Sequence, residues 1–514
     1  MLPMRRPATP WFRAAVITTL LVAASCDSTP LRPPPDLTVR SLGAVHVEGG
    51  RLVDEWGREL VLRGANVKTE ILFDVTFADG RTPTEVVPPW DPWDAPELAA
   101  RGFDLVRLCI SWSGLEPAEG AFAPAFLARL DQVVDDLEAA GVYVLIDFHQ
   151  DAWSKEIGED GAPLWATVPA PPALLPGPIA GGPGLDGPYH SLDARRTSAV
   201  TLDAFTSFFE NRDRLQERFM PAWRLVAARY AGRAHVIGFE NMNEPVAAHV
   251  DDGVARLYAF HDESIRQLRA VNTGHPVWIE PEVFLQNFLF RGDPRTTPPV
   301  DDNLVWAPHL YPRFDDDVDT FDEYYQALRS PIAKMVRSAA SWQAATVIGE
   351  WWARLGHPVA TEYVDALHAL ADELHVGLAV WNWKGYRNPG AYEGDAEGGV
   401  GLLYDWDYRV GDWYLNRPGF ESLARPYALA VPGHIERQHF DRRTHTFEVD
   451  FTARGHEGPP LLYIPDHRFP GGYEVTVDGR VVAIARDPAT SRALVPWPGL
   501  AGRHLIQIRA AAAR

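Results

Sequence analysis

The sequence predicts an α/β fold, a (β/α)8 TIM barrel followed by a smaller antiparallel β-sandwich. Eight short apolar runs alternate with helical patterns, and eight is the number of strands that such a barrel requires. The runs are almost continuously apolar, as expected of parallel strands that are buried on both faces. After about residue 430 the alternation gives way to short strand-like runs separated by glycine, proline and aspartate, which predicts the second domain.

Residues 1–26 predict an export signal. Three arginines precede an apolar stretch from Ala14 to Ala24, which is too short to remain as a membrane-spanning helix. The signal ends in VAASC, and small residues before Cys26 resemble a bacterial lipobox, so we expect a membrane-anchored lipoprotein. A plain secretory signal, which would give a secreted protein, is the alternative. Residues 27–41 contain four prolines and predict an extended tether.

The predicted barrel occupies residues 42–428. A short hairpin is expected at its start, between Leu42 and Leu60, with Gly49-Gly50 as the turn. The eight predicted barrel strands are Leu60–Asn66, Leu105–Ser111, Val142–His149, Val236–Asn243, Pro276–Glu280, Leu304–Tyr311, Thr346–Trp351 and Gly377–Trp383.

Helical patterns fill the gaps between these strands. The clearest spans Pro124 to Ala140, with a proline near its start, an apolar stripe along one face and Gly141 directly after its end. Further helices are expected at Arg214–Tyr230, Gly253–Val271, Phe321–Trp342 and Thr361–Leu374.

Residues 429–514 predict the β-sandwich. We interpret it as a packing module for the barrel, with a separate sugar- or lipid-binding role as the alternative. The sequence VDGR at residues 477–480 predicts a hairpin turn. The expected strands are His445–Phe451, Leu461–Ile464, Tyr473–Val477, Val481–Ala485 and Leu505–Ile508.

The composition excludes several classes of function. The formal net charge of −21 argues against nucleic acid as a partner and disfavours purely electrostatic attraction to anionic lipid. Cys109 is the only cysteine outside the export signal, so the folded body has no intrachain disulfide framework. Because no histidine–cysteine cluster has zinc spacing and no glycine-rich phosphate loop follows a strand, we expect neither a metal ion nor a cofactor.

Two glutamates stand where apolar runs give way to loops. Glu244 lies in the triplet Asn-Glu-Pro at residues 243–245, and Glu350 follows the run ATVIG at residues 345–349. Because the carboxyl ends of barrel strands meet at one face, the two carboxyl groups are expected to lie close together. Cleavage of a glycosidic bond requires two carboxyl groups that face each other across one sugar.

These two segments resemble the clan of retaining glycosidases that includes glycoside hydrolase family 5. Within that clan, DFHQD at residues 147–151 resembles the motif of endoglycoceramidases and related glucosylceramide-cleaving enzymes. The resemblance extends from about residue 45 to about residue 410. Further segments that agree with it are RGANVK (63–68), VRL (106–108), GAPLW (161–165), PHLY (308–311) and WNWK (381–384).

The resemblance implies that Glu244 is the acid/base and Glu350 the nucleophile. Two nearby carboxyl groups push each other's pKa values apart, which supports one protonated and one ionised member. The resemblance also implies that Arg107 holds Glu350 ionised and that Asn243 binds the sugar 2-hydroxyl. A buried ion pair is the alternative for Arg107, and helix capping is the alternative for Asn243.

The same resemblance implies the remaining substrate-binding residues. Tyr311 is expected to donate a hydrogen bond to Glu350, and His309 to line the same wall, although both residue types are also common in strand cores. Lys68, His149 and Asp151 are expected to bind sugar hydroxyls and Trp381 to form a platform under the sugar. A Lys68–Asp151 salt bridge and a structural tryptophan are the alternatives. Trp165, Trp383 and Lys384 are further candidates.

An apolar insertion follows the third predicted strand. Residues 162–188 are rich in leucine, proline and glycine and almost uncharged, which suits a lipid aglycone or docking to a membrane surface. Packing of this loop on its own barrel is the alternative. The acidic run at residues 315–317 is expected to be solvated rather than to bind calcium.

We therefore expect an exported, monomeric retaining β-glycosidase that hydrolyses the bond between glucose and a ceramide-like lipid. Peripheral or lipid-anchored association with a membrane is expected. One alternative is a β-glucosidase or endo-β-glucanase that acts on oligosaccharides without preference for a lipid. A second, from a different class, is a noncatalytic carbohydrate-binding lipoprotein that keeps only the barrel.

Overall fold

The structure is a computed structural model, and it describes residues 37–74, 87–157, 160–168, 196–288, 299–312, 318–352, 360–386, 403–407 and 410–511. The predicted export signal, most of the tether, most of the apolar insertion and the acidic run at 315–317 lie outside these described residues.

A closed parallel barrel forms the larger part of the structure, as predicted. Its strands are ordered β10-β11-β12-β4-β5-β6-β7-β8-β9, and pairing of β9 with β11 closes the ring. The strands up to this point of the chain are β1 (Val45–Glu48), β2 (Arg51–Asp54), β3 (Arg58–Leu60), β4 (Arg63–Val67), β5 (Leu105–Ile110), β6 (Tyr143–Phe148), β7 (Val236–Glu240), β8 (Val277–Ile279), β9 (Leu304–Trp306), β10 (His309–Leu310), β11 (Ala345–Trp351) and β12 (Gly377–Val380).

Each of the eight predicted barrel strands is present, and most are shorter than predicted. The sixth is divided into β9 and β10, with a break at Ala307 and Pro308, because a proline cannot donate to the ladder. Every residue of β4, β5, β6 and β7 is buried, which explains the continuous apolar runs in the sequence.

Helices surround the barrel at the predicted positions. Pro124–Ala140 has the predicted bounds, and Gly141 ends it in a left-handed conformation with φ 72°. In the described part of the chain no helix is long and apolar enough to cross a bilayer. The helices are α1 (Asp94–Ala100), α2 (Trp112–Leu115), α3 (Pro124–Ala140), α4 (Ala199–Phe209), α5 (Leu215–Arg229), α6 (Gly253–Arg269), α7 (Phe321–Ala340), α8 (Ala360–Leu374) and α9 (Arg417–Leu423).

The C-terminal part is a sandwich of two antiparallel sheets, with orders β1-β2-β3-β16-β19-β23-β22 and β17-β18-β24-β20-β21. A separate three-stranded sheet, β13-β14-β15, follows the last barrel strand. These strands are β13 (Lys384–Gly385), β14 (Tyr404–Asp407), β15 (Asp412–Leu415), β16 (Tyr427–Pro432), β17 (His434–Asp441), β18 (Thr446–Ala453), β19 (Leu461–Tyr463), β20 (Tyr473–Val477), β21 (Arg480–Val481), β22 (Ala485–Asp487), β23 (Arg492–Leu494) and β24 (Gly502–Ala510).

Two of the predicted domain boundaries need correction. The hairpin assigned to the barrel belongs to the sandwich, because β3 pairs antiparallel with β16 through Leu60 and Ala430. The boundary between residues 428 and 429 falls inside β16. Both errors have one physical cause, which is that pairing between strands far apart in sequence leaves no local pattern. The predicted strand Val481–Ala485 is also wrong, since β21 and β22 divide it.

The sandwich covers the end of the barrel at which the strands begin. Leu105, Tyr143 and Trp278 from the barrel share one buried cluster with Leu429 and Tyr463 from the sandwich. Because this end is closed by packing, the opposite end, where the strands finish, is the one left for a functional site.

Candidate active site

Glu244 and Glu350 lie together at the carboxyl end of the barrel. Glu350 is the sixth residue of β11, and Glu244 lies four residues after the end of β7. Their nearest carboxylate oxygens and one ring nitrogen of His309 are within 4.8 Å of one another. Both glutamates are at most 9% exposed, so little of either side chain is open to bulk solvent.

Arg107, in barrel strand β5, bonds to Glu350, the candidate nucleophile. Its Nη1 donates to Oε1 of Glu350 at 2.8 Å and to Oδ1 of Asn66 at 3.0 Å. Its Nη2 donates to Oδ1 of Asn243 at 2.7 Å. The guanidinium is completely buried, and its bond to Glu350 is charge-assisted, a class of hydrogen bond that is short and strong.

Three more buried carboxylates surround the same guanidinium. Nε of Arg107 donates to Glu240 at 2.6 Å, and Nη2 contacts Glu280 at 3.0 Å and Asp147 at 3.1 Å. Burial raises the pKa of Glu240 well above its ordinary value despite the charge of Arg107, and Glu280 and Asp147 add to the rise. Burial also raises the pKa of Glu280, against the charges of His309 and Arg107. The cluster therefore favours a proton on Glu240, which reduces the excess of negative charge.

His309 contacts both glutamates, and Tyr311, directly after β10, contacts Glu350. Nδ1 of His309 lies 2.9 Å from Oε1 of Glu244 and 3.6 Å from Oε2 of Glu350. Burial alone would lower the pKa of His309, but Glu280 and Glu350 raise it well above its ordinary value. The hydroxyl of Tyr311 donates to Oε2 of Glu350 at 2.6 Å. Burial and the charge of Glu350 raise the pKa of Tyr311, so the phenol keeps the proton that it donates.

Asn243 is held on both sides of its amide. Oδ1 accepts from Arg107, and Nδ2 donates to the backbone carbonyl of Gln150 at 2.9 Å. Gln150 in turn donates to the backbone carbonyls of Asn243 at 2.6 Å and Glu244 at 3.2 Å. An amide nitrogen carries two hydrogens, and within the described ranges only one bond from Nδ2 is found, which leaves the other hydrogen for a substrate hydroxyl.

His149 and Trp381 form a stacked pair beside the glutamates. The two rings lie 5.4 Å apart at 13°, and Nδ1 of His149 lies 2.7 Å from Oδ2 of Asp147. Burial opposes a charge on His149, but its contacts with Cys109 and Asp147 raise its pKa well above the ordinary value. Trp381 is only partly buried, so one part of its ring remains available to a sugar face.

Lys68 and Asp151 occupy the same wall with partners of their own. Nζ of Lys68 lies 4.7 Å from the ring of Phe73 and 5.1 Å from the ring of Trp381. Asp151 pairs with Arg196 at 3.1 Å and lies 3.4 Å from Nε2 of His149. Burial opposes ionisation of Asp151, but Arg196 and His149 hold its pKa well below the ordinary value. All ten predicted site residues thus contribute to one end of the barrel.

Comparison with known protein families decides the class of the chain. Residues 94–387 match the family described as cellulase (glycosyl hydrolase family 5). The chain belongs to glycoside hydrolase family 5 and is a glycoside hydrolase. Residues 425–509 match the glycoside hydrolase family 5 C-terminal domain, which corresponds to the sandwich.

Relatives of this family 5 member agree with the class. The chain is 29% identical to endoglycoceramidase I of Rhodococcus hoagii over 90% of both chains. The structure of endo-glycoceramidase II from Rhodococcus sp. matches it with a TM-score of 0.69 at 23% identity, covering 91% of this chain and 100% of that one. The structure of an endogalactoceramidase matches with a TM-score of 0.67 at 26% identity, covering 91% and 98%.

Sequence analysis missed five residues of this family 5 site. Asn66, Asp147, Glu240 and Glu280 contact Arg107 directly, and Gln150 holds the turn that carries Glu244. The available signal was a glutamate inside or directly after a buried strand, as in GFEN and WIEP, because an unpaired buried carboxylate is costly.

The further candidates Trp165, Trp383 and Lys384 have structural partners. Nζ of Lys384 lies between Asp91 at 2.8 Å and Asp94 at 2.9 Å, and Trp383 donates to Asp94 at 2.9 Å. Trp165 donates to the backbone carbonyl of Glu116 at 3.1 Å. These contacts connect elements of the barrel wall. Within the described part of the chain, none of the three residues bonds to Glu244 or Glu350.

Three residue groups in the described part of the chain have ligand atoms close enough to share an ion: Cys109, Asp147 and His149; His149, Asp151 and Asp160; and Glu244, His309 and Glu350. Several of these atoms already bond to one another, as His149 does to Asp147. A reaction without a metal or cofactor stays a prediction.

Proposed function

We propose that this chain is a retaining β-glycosidase that hydrolyses the bond between a glycan, with glucose at the cleaved position, and a ceramide-like lipid. The separation of Glu244 and Glu350 carries the first part of the proposal. Retaining enzymes hold their carboxyl groups about 5–5.5 Å apart, whereas inverting enzymes leave about 6.5–9.5 Å for a water molecule. Oxygens within 4.8 Å of each other favour the retaining geometry.

The reaction takes two steps. Glu350 attacks the anomeric carbon while Glu244 donates its proton to the departing oxygen, so the bond to the lipid alcohol breaks as the glycosyl–enzyme bond forms. Glu244, now ionised, then takes a proton from water, and the resulting hydroxide attacks the same carbon and releases Glu350. The contacts of Arg107 and Tyr311 with Glu350 stabilise the carboxylate that attacks and later departs.

The wall formed by Lys68, His149, Asp151 and Trp381 supports a sugar in this site. An ionised carboxylate accepts hydrogen bonds from hydroxyls, an ammonium group donates them, and an indole ring packs on the apolar face of the sugar. Asn243 faces the same space and is suited to the 2-hydroxyl, a contact that strengthens in the transition state.

The lipid part of the proposal is supported by the relatives. The protein that is 29% identical over nine-tenths of both chains is named an endoglycoceramidase, and so is a second relative, from Cyanea nozakii. The apolar composition of residues 162–188 agrees with a lipid aglycone. A panel of glucosylceramide, lactosylceramide, a ganglioside and cellotetraose under identical detergent tests this assignment. Faster turnover of cellotetraose than of every glycolipid would favour the endo-β-glucanase alternative, which the cellulase family description keeps open.

The covalent mechanism has its own test. Incubation with an activated 2-fluoro-glucoside, followed by intact mass measurement, should show one added glycosyl group on the wild type and none on Glu350→Gln. Absence of an adduct on the wild type would instead support a noncatalytic carbohydrate-binding protein.

We also propose that the protein is exported and attached to a membrane through Cys26, as a monomer. The basic and apolar pattern of residues 1–26 and the small residues before Cys26 support this location. Cys26→Ala should move the protein from the membrane fraction to the soluble fraction of the expressing bacterium. Light scattering of the detergent-solubilised protein tests the monomer.

A further inference from the structure

Glu280 contacts Glu244, the proposed acid, and is itself shielded from solvent. It follows directly after β8, it is completely buried, and its two oxygens have different partners. Oε2 accepts from the backbone N–H of Glu244 at 3.1 Å. Oε1 accepts from Arg107 at 3.0 Å and lies 3.2 Å from Nε2 of His309. One carboxylate thus joins the backbone of Glu244 to the histidine that contacts its side chain.

The backbone of Glu244 needs such support. Its φ of 39° lies in the left-handed region, which costs a residue with a Cβ atom about 1–2 kcal/mol. Glu280 holds the N–H of this residue, and Gln150 holds its carbonyl at 3.2 Å. Relaxation of this turn to an ordinary backbone conformation would change the direction of the Glu244 side chain, and with it the path of the proton.

His309 provides the second connection. Its Nδ1 lies 2.9 Å from Oε1 of Glu244, while its Nε2 faces Glu280. A ring whose orientation is fixed at one nitrogen presents the other in a fixed direction. Glu280 therefore positions Glu244 in two ways. It fixes the carboxyl group of Glu244 through the ring of His309, and it fixes the backbone of Glu244 by accepting from the N–H of that residue.

We propose that Glu280 is a positioning residue for proton donation by Glu244. The inference rests on the proposed role of Glu244 as acid/base. It implies that a change at Glu280 slows the reaction in proportion to how much the departing group needs a proton. A strongly acidic phenol departs without one, whereas an alcohol does not.

Glu282 is a matched control two residues away. It is 2% exposed, and it accepts from the backbone N–H groups of Ala247 and Ala248 at 3.1 Å and of Leu285 at 2.8 Å. Like Glu280, it is buried and accepts hydrogen bonds from backbone N–H groups. Unlike Glu280, it bonds to neither of the two proposed catalytic glutamates nor to His309.

The experiment measures kcat/KM of wild type, Glu280→Gln and Glu282→Gln on a series of aryl β-glucosides, from dinitrophenyl to unsubstituted phenyl. For Glu280→Gln we expect a loss of about 100-fold on the phenyl glucoside but less than about 5-fold on the dinitrophenyl glucoside, within the range that general acids contribute. Glu282→Gln should keep the wild-type dependence on the leaving group. Equal loss across the series for Glu280→Gln, or the same steepening in Glu282→Gln, would overturn the proposal.

Two measurements keep this test separate from the proposed function. Adduct formation with the 2-fluoro dinitrophenyl glucoside should proceed in Glu280→Gln at nearly the wild-type rate, since that step needs no proton. If the wild type forms no adduct, that result counts against the proposed function. A normal wild-type adduct together with an equal loss across the aryl glucosides counts against the role of Glu280. Should Glu280→Gln not accumulate as folded protein, Glu280→Asp, which withdraws the carboxylate by one methylene, carries the same comparison with the same deciding outcomes.

Discussion

Arg107 and Glu350 form a buried ion pair of 2.8 Å at the carboxyl end of the barrel, and the same guanidinium contacts Asn243 of the neighbouring Asn-Glu-Pro turn. One side chain therefore bonds both to the carboxylate of Glu350 and to the amide that precedes Glu244. Sequence analysis treated a buried ion pair as the alternative to a functional role for Arg107, but the observed pair includes Glu350, so the two interpretations do not exclude each other.

Replacement of Arg107 by lysine tests this arrangement. Lysine keeps the charge but has no planar fork with which to reach Glu350, Asn243 and Glu240 together. We expect kcat/KM to fall by about 100-fold or more, comparable to the removal of one preorganised donor. Arg229→Lys is the control, because Arg229 pairs with Asp131 at the surface. Equal activity of the two variants would contradict the role of Arg107.

Tyr311→Phe removes a single hydrogen bond to Glu350. The phenol donates at 2.6 Å to Oε2 of Glu350, whereas Arg107 donates to Oε1. Without the phenol, the polar group nearest to Oε2 among the described residues is Nδ1 of His309, at 3.6 Å. We expect kcat to fall by about 10- to 100-fold, since a charge-assisted bond contributes about 1.5–3 kcal/mol. The rate at which the 2-fluoro-glucosyl enzyme forms should fall in parallel. An unchanged rate would show that the phenol does not act on the nucleophile.

The barrel was predictable because its signals are local. Each strand is a short apolar run, and helix α3 carries its own start and stop residues in Pro124 and Gly141. The two catalytic candidates were predictable for the same reason, since each lies near the carboxyl end of its own strand. Glu280 was not, because its importance lies in bonds to Arg107 and to the backbone of Glu244, both of which are far from it in sequence. The pairing of β3 with β16 could not be predicted for the same reason, because the two strands are far apart in sequence.

The raised pKa of Glu240 predicts a pH-dependent stability. The folded state binds the proton of Glu240 more tightly than the unfolded chain does, so stability falls as pH rises from the unfolded pKa, about 4.3, toward the folded one. Glu240→Gln has no proton to lose and should gain Tm relative to wild type as pH rises from about 5 to about 8. Glu217→Gln, at a half-exposed glutamate, is the control and should follow wild type. A difference in Tm between wild type and Glu240→Gln that does not change with pH would contradict the raised pKa of Glu240.

Gly102 lies at the contact between the barrel and the sandwich. Its φ is 87°, and a Cβ atom at this position would come within 2.5 Å of the ring of Tyr463. Its carbonyl accepts from the hydroxyl of Tyr427 at 2.6 Å, so the backbone here has little freedom to move away. A side chain at residue 102 therefore meets both a backbone penalty and a steric one.

Gly102→Ala should lower the free energy of unfolding by about 2–5 kcal/mol, the sum of the left-handed backbone cost and the cost of overpacking. Gly120→Ala separates the two terms, because Gly120 has φ 74° but no atom within 4 Å of its added Cβ. That control should lose only about 1–2 kcal/mol. Denaturant unfolding of both variants gives the comparison. Equal losses would mean that Tyr463 yields to the new methyl group, and that the ring does not fix the sandwich against the barrel at this point.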